Sequence, residues 1–143
     1  MPSISFFFED TPEITLPIQK LSDWLQFVSD SESHSIQELN YVFCSDEYLY
    51  QMNLKYLGHD YYTDVITFDN SEKEGIIEGD VFISVDRVSD NANDQGQTFL
   101  EEVRRICVHG LLHLLGYADK SSEEKALMTE KENAYLSLPQ FPF

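Results

Sequence analysis

The sequence predicts an α+β fold in which a small mixed sheet of about four strands is covered by helices. Short runs of β-branched and aromatic residues alternate with segments whose apolar residues recur at helical spacing. The order along the chain is β-α-β-α-β-β-α-α, which favours layers of helix against sheet. Because 143 residues suffice for one hydrophobic core, residues 1–143 are predicted to form a single domain.

The first half of the chain contains two predicted strands, each followed by a helix. Residues 4–8 and 39–43 are predicted strands because they are rich in β-branched and aromatic side chains. A helix is predicted from Pro17, which suits the first helical turn and precedes apolar residues at helical spacing. Ser45, followed by two acidic residues, supplies an N-cap and a favourable first turn for a helix through residue 54.

The middle of the chain predicts a pair of strands. Residues 65–68 and 81–85 have the composition of strands, and the acidic loop 71–79 separates them. A link of this kind is suited to joining antiparallel neighbours. Residues 86–96 are polar, and their pattern leaves a loop and a short helix as alternatives.

The pattern Ser/Thr-x-x-Glu occurs twice near the end of the chain. Thr98 with Glu101 forms a capping box before a helix predicted to run to about residue 115, where Gly116 stops it. Ser121 with Glu124 forms a second capping box before a last helix through about residue 136. The first of these helices is predicted to be central and to carry a metal site at its end.

Composition limits the functions that the chain can perform. Its 26 acidic and 9 basic residues give a formal charge of −17, which opposes the binding of nucleic acid. Apolar windows such as 4–8 and 111–115 are far shorter than a membrane span, so no membrane association is expected. The start of the sequence has no secretory pattern, and Cys44 and Cys107 form no paired motif, so a reducing, cytoplasmic location is expected.

A metal site is predicted from residues 108–119. His109 and His113 are four residues apart on a helix, so both imidazoles face the same ion. Asp119 follows Gly116, where the chain can turn back towards the two rings, and the whole pattern is H-x3-H-x5-D. Two histidines and one carboxylate predict one divalent ion per chain, with zinc as the first choice and another transition metal as the alternative.

The alternative to a metal is that each histidine is an ordinary core residue bonded to a backbone carbonyl. Burying two neutral rings among leucines would require two separate polar partners, whereas one ion satisfies both. A protease of the zincin type has Glu directly after its first histidine, and here that position is Gly110. The pattern therefore favours a metal site over a core pair and disfavours that protease class.

Three blocks of the sequence and part of the last helix carry a pattern typical of one protein family. The residues of this pattern are His109, Gly110, Leu112, His113, Leu114, Gly116 and Tyr117; then Asn53, Tyr56, Asp60 and residues 63–68; then residues 79–83; and, in the last helix, Met128 and Glu132. Together they resemble the signatures of the YbeY family. Its members are metal-dependent endoribonucleases specific for single strands and are associated with 16S rRNA maturation and ribosome quality control.

The sequence departs from the family pattern at three positions. Asp119 stands where the third zinc ligand is usually His, Ala118 stands where Asp is usual, and Leu57 replaces an Arg. A carboxylate lowers the formal positive charge of the site by about one unit, which weakens the Lewis acidity of the ion. Two histidines and a carboxylate are nevertheless a recognised catalytic zinc set that leaves a fourth position for water.

The groups that would assist a metal-activated water are less well defined by the sequence. Lys55 and Lys120 are candidates for the cation that replaces the family's Arg, and a solvated surface lysine is the alternative for each. Asp64 and Asp80 flank predicted strands, where they would either orient a liganding histidine or cap a turn.

The resemblance implies a zinc-dependent endoribonuclease that acts on an rRNA precursor at the 3′ end of 16S rRNA. It also implies a small-subunit ribosomal protein and a ribosome-assembly GTPase as partners. Leu57, Asp119 and the acidic composition motivate an alternative, a non-catalytic ribosome-biogenesis binding factor with a structural metal. A third hypothesis is a metal hydrolase of peptides or small phosphoesters, since the ligands do not encode the substrate.

Overall fold

The computed structural model describes residues 3–143, and over these residues the chain forms four strands and five helices. The strands are β1 Ile4–Glu9, β2 Ser35–Cys44, β3 Val65–Asp69 and β4 Ile76–Ser84. The helices are α1 Ile18–Ser31, α2 Asp46–Leu57, α3 Val85–Asp94, α4 Phe99–Leu114 and α5 Ser122–Leu136. The predicted α+β class is confirmed, and of the two alternatives for residues 86–96 the helix is correct. None of the helices in the described part is long and apolar enough to cross a membrane.

The four strands form one mixed sheet in the order β1-β2-β4-β3. β1 pairs with β2 and β2 with β4 in parallel, whereas β3 runs antiparallel to β4. The antiparallel pairing predicted for the two middle strands is therefore confirmed. The parallel pairs require crossover connections, which place helices over the faces of the sheet.

The two central strands begin earlier than the sequence pattern indicates. β2 begins at Ser35 rather than at residue 39, and β4 begins at Ile76 rather than at residue 81. The early parts of these strands pair with each other, so the backbone ladder includes polar residues such as Glu38 and Glu78. β4 also ends before Val85, because Ser84 accepts a hydrogen bond from the Arg87 amide and caps α3.

The main core lies between one face of the sheet and helices α1, α4 and α5. Successive strand residues point to opposite faces, so Val81 and Ile83 face this core while Phe82 faces the other side, which α2 covers. α4 is the central helix of the layer. Its buried residues are Glu102, Val103, Ile106, Cys107, Val108, Gly110, Leu111, Leu112 and Leu114.

The close approach of α4 to β4 depends on a residue without a side chain. A Cβ atom at Gly110 would lie 2.7 Å from Cγ1 of Val81 and 3.2 Å from its Cγ2. Position 110 therefore faces the sheet, which explains in steric terms why it does not carry the Glu of a zincin. Gly79 makes a second close contact, since a Cβ atom there would lie 3.1 Å from the side chain of Leu114.

The contact between Gly110 and Val81 predicts a coupled pair of substitutions. Gly110→Ala is expected to destabilise the protein by about 1–3 kcal/mol, because overpacking outweighs the better helix propensity of Ala. In the double variant with Val81→Ala the new methyl group has space. Its loss in free energy of unfolding is therefore expected to be smaller than the sum of the two single losses by about 1 kcal/mol. Urea unfolding of the four proteins measures this difference, and additive losses would contradict the packing described here.

Candidate metal centre

The end of α4 turns the chain sharply back on itself. Gly116 has a φ of 108°, its amide donates to the His113 carbonyl at 3.0 Å, and the Tyr117 amide donates to the Leu112 carbonyl at 3.0 Å. This pair of bonds is a Schellman motif, which favours glycine at the left-handed position. The turn carries Asp119 back towards the last two turns of the helix.

The structure brings His109, His113 and Asp119 together at this turn. The two Nε2 atoms are 3.0 Å apart, and Asp119 Oδ2 lies 3.4 Å from that of His109 and 3.3 Å from that of His113. Donor atoms that share one zinc ion at tetrahedral angles are roughly 3.3 Å apart, given bonds of about 2.0 Å. The spacing of the three atoms therefore fits a single small ion.

The hydrogen bonds at Nδ1 of each histidine ring also fit the binding of a single ion. Nδ1 of His113 lies 2.9 Å from the Tyr117 carbonyl oxygen, which can only accept, and Nδ1 of His109 lies 2.6 Å from Glu132 Oε2. These acceptors assign the proton of each neutral ring to Nδ1. Both Nε2 lone pairs then face each other and the Asp119 carboxylate, an arrangement that a cation shared by the three atoms would satisfy.

The charged groups that act on His109 are carboxylates. Burial of the His109 ring disfavours its charged form, but the Glu132, Asp119 and Asp64 carboxylates outweigh burial and raise the pKa of His109 above its ordinary value. The same charges favour any cation that binds at the Nε2 side of the ring. A proton and a metal ion therefore compete for this position.

A second polar cluster holds the turn in place. Glu32, which follows α1, accepts hydrogen bonds from the hydroxyls of Tyr117 and Tyr135, and Lys131 Nζ lies 3.3 Å from its Oε2. Because the Tyr117 carbonyl accepts from His113, fixing Tyr117 also fixes the orientation of a candidate ligand. No local sequence signal points to Glu32, since its partners come from parts of the chain that are distant in sequence.

The candidate cations lie in different places. Lys55 lies on α2, across the sheet from α4, with Nζ 5.1 Å from the centre of the Tyr56 ring. Leu57, at the position of the family's Arg, is the exposed last residue of the same helix. Lys120 is exposed and follows Asp119 directly in sequence.

The two candidate acids also differ in their surroundings. Asp64 is half-buried just before β3, and its negative charge is one of those that raise the pKa of His109. Asp80 is engaged elsewhere, because its carboxylate accepts hydrogen bonds from Asn40 at 3.0 Å and Asn70 at 3.3 Å. Asp80 thus links β4 to β2 and to the residue after β3.

The Glu32 cluster predicts a stability difference that depends on pH. Burial raises the pKa of the Glu32 carboxyl, but hydrogen bonds from Tyr135, Tyr117 and Lys131 lower it by more. The pKa of Glu32 therefore lies below its usual value of 4.5. A carboxyl whose pKa is lower in the folded state stabilises the fold at pH values above its usual pKa. This contribution is lost as the pH falls through the folded-state pKa. Glu32→Gln is therefore expected to cost about 2 kcal/mol at neutral pH and progressively less in acid.

The measurement is urea unfolding of wild type and Glu32→Gln at neutral pH and at about pH 3. Glu13→Gln, a substitution at an exposed residue, is the matched control and is expected to behave as wild type at both values. A difference between wild type and Glu32→Gln that does not shrink in acid would contradict the role given to the Glu32 carboxylate.

Comparison with known proteins supports a single family. The family model described as "Endoribonuclease YbeY" matches residues 8–139. A protein named endoribonuclease YbeY from Cytophaga hutchinsonii is 55% identical over 139 residues, which cover 97% of each chain. A protein of the same name from Karelsulcia muelleri is 48% identical over 115 residues, which cover 80% of this chain and 81% of the relative.

A solved structure agrees in fold. The solution structure of a protein from Thermotoga maritima has a TM-score of 0.67 and 25% identity, and the match covers 93% of this chain and 86% of the other. With the extent of the family match, the high identity of the relatives and the shared architecture, the chain belongs to the endoribonuclease YbeY family.

Proposed function

We propose that this protein is a zinc-dependent, single-strand-specific endoribonuclease that acts in maturation of the 3′ end of 16S rRNA and in ribosome quality control. The observation that carries the proposal is the convergence of two histidine lone pairs and a carboxylate at one point. The relatives named as endoribonucleases support the choice of RNA as substrate. We further propose that the chain works as one domain in the cytoplasm.

His109, His113 and Asp119 would hold the ion. Two nitrogen donors and one carboxylate suit zinc, and other divalent transition metals bind such a set as well. When bound, the ion supplies a Lewis acid that activates water and polarises the phosphodiester. The side chain of Asp119 is 39% exposed, which leaves the cluster open to a substrate from the solvent side of the turn.

Residues near the cluster have distinct proposed roles. Lys120 is exposed and follows Asp119 directly in sequence, and we assign to it the neutralisation of a phosphate of the bound strand. We assign to Asp64, whose charge acts on His109, the orientation of a water molecule or a liganding ring. Lys55 lies across the sheet, so of the two lysines Lys120 is the better candidate for the cation that replaces the family's Arg.

Attraction of RNA by charge alone is weak in this chain. Five of its nine cations are engaged within the described part of the protein: Arg87 with Asp46, Arg105 with Glu132, Lys131 with Glu32, Arg104 against the Phe143 ring and Lys55 against the Tyr56 ring. The formal charge of −17 opposes the approach of a polyanion. We therefore propose that a small-subunit ribosomal protein and an assembly GTPase present the rRNA precursor to the site.

The alternative of a binding factor with a structural metal is not favoured. Structural zinc sites are closed by four protein ligands, whereas catalytic sites keep a position for water. Within residues 3–143 no fourth His, Cys or carboxylate joins the cluster of three. The peptidase hypothesis is also disfavoured, because residue 110 faces Val81 and has no carboxylate.

The test is elemental analysis of the purified protein, with cleavage of single-stranded and double-stranded RNA assayed on the same samples. Wild type is expected to contain one zinc per chain and to cleave the single strand. His113→Ala and Asp119→Ala are expected to lose the metal and, with it, at least about 100-fold in cleavage rate.

Two substitutions outside the cluster serve as controls for this test. His59→Ala removes a histidine that stacks on Tyr61, and Asp90→Ala removes an exposed carboxylate on α3. Both variants are expected to keep zinc and activity. A folded wild type that contains zinc but cleaves no RNA, alone or with ribosomal subunits, would contradict the proposed activity.

A further inference from the structure

Glu132 is an acidic residue buried beside the metal centre, with 6% of its surface exposed. It lies on α5, and its two oxygens have different partners on α4. Oε2 accepts from Nδ1 of His109 at 2.6 Å, and Oε1 accepts from Nη1 of Arg105 at 2.8 Å. Arg105 is held in turn by Asn133, whose Oδ1 lies 2.8 Å from its Nη2.

The arrangement is more specific than docking of two helices requires. A buried carboxylate is costly unless it is paired, and an apolar residue would join α4 to α5 at lower cost. The ion pair with Arg105 satisfies one oxygen of Glu132 and compensates its charge. The other oxygen, Oε2, accepts from the ring of His109, a candidate metal ligand. The ion pair with Arg105 therefore fixes the position from which Glu132 acts on His109.

The two candidate histidine ligands are oriented by acceptors of different strength. His113 donates to the neutral carbonyl of Tyr117, whereas His109 donates to the charged carboxylate of Glu132. A carboxylate acceptor fixes the tautomer and also makes the opposite nitrogen of the ring a stronger metal ligand. This increase in basicity offsets part of the rotational and desolvation cost of assembling the site.

We propose that Glu132, held by Arg105, is a positioning residue that orients His109 and increases the affinity of the site for its metal. The inference rests on the metal site of the proposed function. It assigns to α5 a part in metal binding, although α5 contributes no ligand. Docking of α5 on α4 and occupation of the site are then coupled through one carboxylate.

The experiment compares the metal affinity of wild type, Glu132→Ala and Glu132→Gln. Zinc affinity is measured by competition with a chromophoric chelator, and the cobalt-loaded proteins are compared by their visible absorption. Glu132→Ala is expected to bind zinc about 10–100-fold more weakly and to change the cobalt spectrum. Glu132→Gln keeps an acceptor oxygen but not the charge, so its zinc affinity is expected to lie between those of wild type and Glu132→Ala.

The matched control is Glu130→Gln, which makes the same change at an exposed residue on the same helix. It is expected to bind zinc as wild type does. A purely structural role for Glu132 would lower the melting temperature of the metal-free protein while leaving the affinity and the cobalt spectrum of the folded protein unchanged. Glu132→Gln has the same shape as the wild-type residue, so it decides the question if Glu132→Ala does not fold.

Zinc affinities of both Glu132 variants within about twofold of wild type would overturn this inference, as would an equal loss in Glu130→Gln. Failure of the proposed function has a different signature, because a wild type that binds no metal or cleaves no RNA is detected before the variants are compared. Metal affinity is measured without RNA, so an inactive wild type that binds zinc still tests the role of Glu132.

Discussion

Helix α4 lies directly against the sheet because residue 110 has no side chain, and the candidate site depends on this contact. Because Gly110 packs against Val81, one side of α4 is buried in the core. His109 and His113, which precede and follow Gly110 in sequence, then lie at the edge of the helical layer. The helix then ends in a turn whose glycine brings Asp119 back to them. The ligand geometry is thus a consequence of packing, and a bulkier residue at position 110 would displace the whole site.

Charge gives the molecule two opposed properties. The carboxylates that act on His109 favour a cation at the cluster, yet the acidic composition of the whole chain repels the phosphates of RNA. Much of the basic charge is engaged in fixing the scaffold, as in the pair of Arg105 with Glu132. Under the proposed function, affinity for RNA is therefore expected to come from the metal ion, from exposed lysines such as Lys120 and from partners that present the RNA.

Local patterns in the sequence predicted what local physics determines: the capping boxes, the four-residue spacing of the histidines and the end of α4 at Gly116. The patterns did not predict structure that depends on pairing between distant segments. The polar first residues of β2 and β4 are an example, because they are strands only through their hydrogen bonds to each other. Glu32 could not be found for the same reason, and Glu132, although it matches the family pattern, could not be given its role from that match. Each is an ordinary acidic residue until the fold places partners from distant segments around it.

The central claim is that three side chains converge on one metal ion. Anomalous diffraction from zinc-loaded crystals, recorded on both sides of the zinc absorption edge, tests it most directly. The account predicts one peak per chain, within bonding distance of Nε2 of His109, Nε2 of His113 and a carboxylate oxygen of Asp119. The absence of a peak at this position in a zinc-saturated crystal, or a peak bound by other residues, would contradict it.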